Sequence, residues 1–199
     1  MTDSHSIGYG IFAGGLSSRM GSDKAFLDYA GKPMIKHMAD TIGQDKIIYV
    51  SVSDTIKSNR CKDILGAGCI MLEDEIKEYG PMEGLYQLLN SCTEDALFVI
   101  AVDMPLITKE FIESVVSHYN NEDVFVLSAG ERIHPLCGIY SKRILPIISD
   151  LRQQDIHKIM RIYEKCKTTI TDVKKIGFPE DILVNINTKE DYERLILKR

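Results

Sequence analysis

The sequence lacks the features that mark several protein classes. It has no tryptophan, no apolar run long enough to span a bilayer, and no excess of positive charge, since its formal net charge is -5. A chain without a basic field is not expected to bind nucleic acid, and we expect no membrane partner either. The stretch Met1–Ser6 is polar and too short for a signal peptide. A polyanionic ligand would therefore need a local group of cations.

Cysteine is present but shows no pattern that indicates a metal site. The five cysteines are scattered, without the C-x-x-C spacing of zinc sites and without the framework of a disulfide-rich protein. We interpret them as small hydrophobic residues of a reduced, cytoplasmic protein. They are Cys61, Cys69, Cys92, Cys137 and Cys166.

Strand-like and helix-like segments alternate along the chain, which predicts a mainly parallel sheet covered by helices on both faces. The length and the absence of linkers or repeats predict one domain, residues 1–199. The predicted strands are Ile7–Phe12, Lys46–Val52, Cys69–Leu72, Ala96–Ala101, Val124–Ala129, Cys137–Tyr140 and Lys167–Val173. The predicted helices are Pro33–Ile42, Met82–Leu89, a helix capped by Thr108, Ile144–Leu151, Ile156–Tyr163 and one that begins at Thr188.

A glycine-rich loop follows the first predicted strand. Ala13-Gly14-Gly15 exposes backbone N–H groups, and two cations, Arg19 and Lys24, come after it. The pattern indicates a phosphate site. It is not a Walker loop, and the one nominal dinucleotide fingerprint lies inside the strand rather than after it. The alternative is a solvated surface turn.

Asp103 follows the most apolar predicted strand directly and is followed by Met104-Pro105. A rigidly held carboxylate at the end of a buried strand suits Mg²⁺, which prefers one or two carboxylates together with substrate phosphates. The alternative is that Asp103 only caps the turn before the next helix.

Three further groups of residues carry possible ligand contacts. Asp74, near Gly80 and Gly84, has an acceptor pair that suits the ring N–H and amine of guanine, or it is a solvated loop acid. His134 with Arg132 faces an anionic ligand, or is a structural histidine. Asn185 and Asn187 alternate on a short predicted strand and present two amides, or they are turn residues before a helix.

Taken together, these motifs resemble the molybdenum cofactor guanylyltransferase family. The resemblance rests on Ala13-Gly14-Gly15 to Lys24, Gly31-Lys32-Pro33, Gly80-Pro81 to Gly84, Asp103-Met104-Pro105, His134-Pro135 and Asn185 to Thr188, in that order over residues 7–195. It implies a Rossmann-like α/β nucleotidyltransferase fold. It also implies that GMP is transferred from Mg-GTP to molybdopterin, or Mo-molybdopterin, with release of pyrophosphate and possible handover to other cofactor-handling proteins.

The resemblance also implies roles for individual residues. Arg19, Lys24 and Asp103 would be catalytic, and Asp103 would hold Mg²⁺. Arg132, His134, Asn185 and Asn187 would face the pterin. The residues implied in GTP binding are Phe12, Ala13, Gly14, Gly15, Lys24, Ser51, Asp74, Gly80, Gly84 and Asp103.

The chain departs from the family pattern at three places. Phe12 stands where leucine is usual, Met82-Glu83 where small or apolar residues are usual, and Ser51 and Ser53 where asparagine is frequent. The alternatives are a sister nucleotidyltransferase that uses CTP or makes a sugar nucleotide, and a non-catalytic carrier of the finished cofactor. The carrier would not need Lys24 and Asp103.

The chemistry implied by the resemblance agrees with the residue types present. The second pKa of a phosphate monoester is about 6, so the attacking phosphate is already largely dianionic at pH 7. Such a nucleophile needs no general base, and we find no Ser-His-Asp set. Positioning and charge neutralisation are expected to supply most of the rate.

Overall fold

The computed structural model describes residues 5–14 and 23–197. The strands in this part of the chain are β1 (Ile7–Phe12), β2 (Asp28–Tyr29), β3 (Lys32–Pro33), β4 (Ile48–Val52), β5 (Cys69–Glu73), β6 (Ala96–Ala101), β7 (Val124–Ala129), β8 (Arg132–Ser141) and β9 (Thr168–Asp172). The α-helices are α1 (Met34–Ile42), α2 (Thr55–Leu65), α3 (Pro81–Ser91), α4 (Lys109–His118), α5 (Leu145–Gln153) and α6 (Lys189–Leu197).

Seven strands form one sheet in the order β5-β4-β1-β6-β8-β7-β9. Neighbouring strands are parallel except at β8, which is antiparallel to both β6 and β7. The central strand β6 is buried along its whole length, as a strand covered on both faces requires. The expected α/β fold with a mainly parallel sheet is confirmed.

Helices cover both faces of the sheet and enclose two apolar clusters. On one face, α1, α2 and α4 contribute residues such as Met38, Cys61 and Phe111. On the other face, α3 and α5 contribute residues such as Leu85 and Leu151. No helix in the described ranges combines the length and apolar composition of a membrane span.

Two local predictions were wrong, and one helix was not predicted. Residues 184–187 are not a strand, and of Ile156–Tyr163 the part Ile159–Ile162 forms a short 3-10 helix. Helix α2 was not predicted because its inward face carries Lys57, Ser58 and Cys61 rather than an apolar stripe. Its start signal is Asp54, whose side chain accepts a hydrogen bond from the backbone N–H of Lys57.

The parallel register brings the carboxyl ends of β4, β1 and β6 to the same edge of the sheet. The N–H of Ala13 donates to the carbonyl of Ser51 at 2.9 Å, and the N–H of Val102 donates to that of Phe12 at 2.9 Å. The N–H of Ile186 donates to the carbonyl of Asp103, also at 2.9 Å, which ties residues far along the chain to this edge. Ligands bind at such an edge in open α/β sheets.

Candidate functional site

Two adjoining cavities lie at this edge. The first, of about 360 Å³, is lined by the ends of β1 and β6, by part of β8 and by residues 185 and 187. The second, of about 440 Å³, is lined by the end of β4, by Gly84 and by part of the loop before α3, namely Asp74, Lys77, Glu78, Gly80 and Pro81. Phe12, Gly14 and Leu136 line both cavities, so one elongated ligand can occupy both.

A chain of polar contacts crosses the first cavity. Lys24 lies on a short 3-10 helix, Lys24–Phe26, and its Nζ is 2.8 Å from Oδ2 of Asp103. The same Nζ donates to Oδ1 of Asn187 at 2.9 Å, and Nδ2 of Asn185 donates to the other Asp103 oxygen at 2.8 Å. Four predicted site residues therefore meet. Because Lys24 and Asp103 are both mostly shielded from solvent, the charge pair is weakly screened.

Lys57 is a cation of the first cavity that no sequence pattern indicates. Its side chain is only 6% exposed, and its Nζ lies 2.9 and 2.8 Å from the two carboxylate oxygens of Asp23. Asp23 also caps the 3-10 helix of Lys24 through the N–H of Ala25. Lys57 thus supports the position of Lys24 from helix α2, and only recognition of that helix would have revealed it.

His134 and Arg132 lie on β8 and line the same cavity. Burial lowers the pKa of His134, and the positive charge of Arg132 lowers it further. A hydrogen bond with Asn185 and the charge of Asp103 act in the opposite direction without cancelling that effect. His134 is therefore neutral at pH 7 and offers one donor and one acceptor.

Asp74 is the distinctive group of the second cavity. Its backbone N–H donates to the carbonyl of Val52 at 3.0 Å, which continues the β4–β5 pairing by one residue. Its Oδ1 is buried and has no hydrogen-bond partner among the residues that the structure describes. A buried acceptor without a partner is costly, so this oxygen indicates a place for ligand donors.

The environment of Asp74 disfavours its charge. Burial raises the pKa of Asp74 to about 6, and the nearby Glu83 carboxylate contributes to the increase. Lys77, Lys57 and a hydrogen bond from Ser51 oppose it. Carboxyl groups with a raised pKa in a cleft are frequent at functional sites.

The glycines around the second cavity allow close packing. Gly80 has φ +86° and caps helix α3, with Pro81 in its first turn. At Gly84 a Cβ atom would lie 2.5 Å from Oγ of Ser51 and 3.1 Å from the ring of Phe12. The absence of a side chain at Gly84 therefore lets α3 approach the carboxyl ends of β1 and β4.

The predicted residues in the described ranges therefore meet at two adjoining cavities. Gly15 and Arg19 lie outside the described residues. The sequence model of the MobA-like NTP transferase domain family matches residues 10–170 of this chain.

The chain belongs to this family.

Relatives across the whole length agree with this assignment to the MobA-like family. A probable molybdenum cofactor guanylyltransferase of Aquifex aeolicus is 30% identical over 189 residues, which are 94% of this chain and 88% of the relative. A molybdenum cofactor guanylyltransferase of Vibrio atlanticus is 29% identical over 184 residues, 91% of each chain. The molybdopterin-guanine dinucleotide biosynthesis protein A of Archaeoglobus fulgidus superposes with a TM-score of 0.82 at 20% identity, covering 96% of this chain and 99% of that one, which shows the shared fold.

As a MobA-like NTP transferase, the chain is a nucleotidyltransferase enzyme. A nucleotidyltransferase must hold a nucleoside, a triphosphate chain and an acceptor. The two adjoining cavities differ in their charged groups: one contains Asp74, and the other contains Lys24, Lys57 and Asp103.

Proposed function

We propose that this protein transfers GMP from Mg-GTP to the terminal phosphate of molybdopterin, or Mo-molybdopterin, in molybdenum cofactor biosynthesis. The products are molybdopterin guanine dinucleotide and pyrophosphate. The observation that carries the proposal is the junction of the two cavities at Gly14. One cavity offers a buried carboxylate oxygen that has no hydrogen-bond partner within the described ranges, and the other offers cations beside Asp103. The names of the relatives support the same assignment.

Asp74 supports the choice of guanine. An ionised carboxylate accepts hydrogen bonds from the N1–H and the 2-amino group of guanine, and such charged bonds are strong. Adenine and cytosine present a ring nitrogen acceptor beside their amine, which a carboxylate repels. The base therefore lies in the second cavity, with Ser51, Gly80 and Gly84 around it.

The triphosphate then extends past Gly14 into the first cavity. The described residues that line this cavity carry three cations, Lys24, Lys57 and Arg132, against the two carboxylates Asp23 and Asp103. This small positive excess does not balance a triphosphate. Arg19, which lies outside the described residues, and a divalent metal are the further cations that we propose for the triphosphate.

Asp103 fits a Mg²⁺ ion that is shared with the substrate. It presents one carboxylate in the cavity, and Mg²⁺ prefers one or two carboxylates together with phosphates and water. No group of three or more acidic, histidine or cysteine side chains in the described ranges forms a complete metal cage. The metal, when bound, supplies charge neutralisation of the phosphates.

The protein's own residues position the reacting groups. Lys24 neutralises charge on the phosphates, and Asn185 holds Asp103 in place through its 2.8 Å hydrogen bond. Neutral His134 and cationic Arg132 orient the terminal phosphate and pterin of the acceptor. That phosphate is already largely dianionic near pH 7, so no residue has to remove a proton from it. All five cysteines are free, which supports a reducing compartment such as the cytoplasm.

Calorimetric titration with each nucleoside triphosphate, with and without Mg²⁺, tests the proposal. We expect the wild type to prefer GTP and to bind it more tightly with Mg²⁺. Asp74→Asn places an amide donor against the guanine amine, so we expect it to lose GTP and to gain xanthosine triphosphate, which carries a carbonyl there. Preference for CTP would indicate a sister enzyme, and no nucleotide binding would indicate a carrier.

The matched control is Asp63→Asn. Asp63 lies on helix α2 with an exposed side chain, so this substitution makes the same change of charge outside both cavities. We expect it to leave the order of nucleotide affinities unchanged. Release of pyrophosphate from GTP that depends on added molybdopterin tests the transfer step itself.

A further inference from the structure

Glu83 is a buried acid that the proposed reaction does not use. It lies in the first turn of helix α3, immediately before Gly84, and its side chain is completely buried. A buried carboxylate is costly unless other groups compensate for its charge. Its partners therefore show what it holds in place.

One carboxylate oxygen of Glu83 holds the chain that follows Asp74. Oε1 accepts hydrogen bonds from the backbone N–H groups of Glu75 at 3.1 Å and Ile76 at 3.4 Å. It also accepts from Nε2 of Gln87, one turn further along α3, at 2.8 Å. The first two donors belong to the residues directly after Asp74, so Glu83 fixes the exit of the backbone from that position.

The other oxygen connects the same loop to a second helix. Oε2 of Glu83 is 2.8 Å from Nη2 of Arg152 on α5, in an ion pair without the geometry of a hydrogen bond. The Arg152 guanidinium also lies 3.7 Å from the centre of the Tyr86 ring. Glu83 is thus held by two helices that pack on the same face of the sheet.

The part of the loop farther from Asp74 has other contacts: Nδ1 of His157 lies 3.0 Å from the carbonyl oxygen of Tyr79, and Nζ of Lys77 donates to the carbonyl of Ser53 at 2.7 Å. Glu78 and Gly80 both adopt positive φ, at 58° and 86°, so residues 74–80 follow an irregular path. On the β4 side, Asp74 is tied through its N–H to the carbonyl of Val52. On the other side it is held through the two N–H groups that Glu83 accepts.

We propose that Glu83, held by Gln87 and Arg152, is the positioning residue that aims the Asp74 carboxylate at the base and so determines nucleobase selection. This inference rests on the proposed function, because it assumes that Asp74 accepts hydrogen bonds from guanine. Glu83 itself touches no substrate in this arrangement. Its negative charge also faces Asp74 from α3, opposed by Lys77 of the loop and Lys57 of α2.

The ratio of GTP to ITP affinity tests the proposal. ITP lacks the 2-amino group of GTP, so the ratio measures the contact between that amine and Asp74. We expect the ratio in Glu83→Ala to fall about 10-fold or more, the usual effect of losing a hydrogen bond to a charged group. Binding of inorganic tripolyphosphate with Mg²⁺ should stay within about 3-fold of the wild type, because the first cavity does not contain Glu83.

Two further variants separate positioning from folding. Glu83→Gln retains an oxygen that accepts from the loop N–H groups, so it should keep most of the GTP/ITP ratio. Because it removes the negative charge that helps to raise the pKa of Asp74, the pH midpoint of GTP binding should fall. The double variant Glu83→Met/Arg152→Met replaces the buried pair by apolar residues, a change that buried ion pairs often tolerate. It should fold, as judged by near-UV circular dichroism. Its ratio of GTP to ITP affinity should nevertheless fall as it does in Glu83→Ala.

Glu75→Gln is the matched control. Glu75 lies 3.8 Å from the same Arg152 atom, but its side chain is 69% exposed, so the ratio should not change. A folded Glu83→Ala or double variant that keeps the full GTP/ITP ratio overturns the role of Glu83 while leaving the proposed function intact. A wild-type protein that does not distinguish GTP from ITP overturns the contact between Asp74 and the guanine amine, and with it this inference, whereas failure of the proposed function shows separately as CTP preference or no nucleotide binding.

Discussion

At the scale of single residues, we expect substitutions of Lys24 and Asp103 to have the largest effect on activity. The two groups meet at 2.8 Å in the first cavity, where both face the proposed triphosphate. Removing one preorganised charge from such a site lowers kcat by about 10²- to 10³-fold. We therefore expect Lys24→Met and Asp103→Asn to lose most activity in a steady-state assay of pyrophosphate release while they remain folded.

The control for this pair is Lys109→Met. Lys109 is an exposed lysine on α4, with 66% of its side chain accessible, and it lies in neither cavity. It should keep wild-type turnover. Near-normal turnover in folded Lys24→Met or Asp103→Asn would contradict the assignment of these residues to the reaction.

Asp74 predicts a pH dependence of nucleotide binding. The carboxyl group has a pKa raised to about 6, and it must be ionised to accept two hydrogen bonds from guanine. GTP affinity should therefore fall as the pH drops below about 6, by up to about 10-fold per pH unit. Calorimetry from pH 5 to 8 measures this, with tripolyphosphate as the reference for protonation of the phosphates themselves. The same pH profile in Asp74→Asn would refute the prediction.

Ionisation of the Asp74 carboxyl group, which favours GTP binding, lowers the stability of the folded protein. Because the pKa of Asp74 is higher in the folded protein than the ordinary 3.8, the folded state binds more protons between about pH 4 and 6. Its contribution to stability is present below pH 4 and is lost as the pH rises through 6. Asp74→Asn should therefore raise the Tm at pH 8 relative to wild type by more than it does at pH 4, as measured by calorimetric unfolding.

At the scale of the elements, the packing of α3 against the ends of β1 and β4 shapes the second cavity. A methyl group at Gly84 would lie 2.5 Å from Oγ of Ser51, so Gly84→Ala must displace α3 or Ser51. We expect it to lower the free energy of unfolding by about 1–3 kcal/mol and to weaken GTP binding. Urea unfolding and GTP titration measure the two effects.

Gly68→Ala is the matched substitution. A Cβ at Gly68 has nothing within 4 Å and no positive φ to oppose it. It should change the free energy of unfolding by no more than about 0.5 kcal/mol. If Gly84→Ala and Gly68→Ala had equal effects, the close approach of α3 at Gly84 would not explain the loss of stability.

At the scale of the whole molecule, the site joins distant parts of the chain, so ligand binding should stabilise the entire fold. Mg-GTP at a concentration 100 times its Kd should add about 2.7 kcal/mol, which for a chain of this size raises the Tm by roughly 5–10 °C. Differential scanning calorimetry measures the increase. CTP at the same concentration should give a smaller shift, and an equal shift would show that the base is not selected.

Much of this architecture followed from local patterns. The strand Ala96–Ala101 was predicted from its unbroken apolar run, and its bounds are confirmed. Thr188 and Asp191 were predicted as a capping box, and each side chain accepts from the backbone N–H of the other, at 3.1 and 2.9 Å. Helix α2 was missed because its buried face includes Lys57, whose burial depends on Asp23.

The segment before α6 shows why the backbone conformation of part of the site could not be predicted from the sequence. Asn185 and Asn187 were expected to share one face of a strand, yet residues 184–187 have no strand assignment. Both amides reach the site because Ile186 is bonded to the carbonyl of Asp103, and the N–H of Asn187 is held by Asp191. These partners are distant or lie in the next helix, so alternation alone was misleading.

The sequence by itself determined the seven strands of the main sheet, the fold class and many of the residues that line the site, because periodicity, caps and glycines act over a few neighbouring positions. Only the tertiary structure decided how those residues pair. Lys24 and Asn185 lie 79 and 82 positions from the Asp103 that both contact. The role of Glu83 likewise depends on Arg152 from another helix. Such partners are chosen by the packing of whole elements, which no local pattern records.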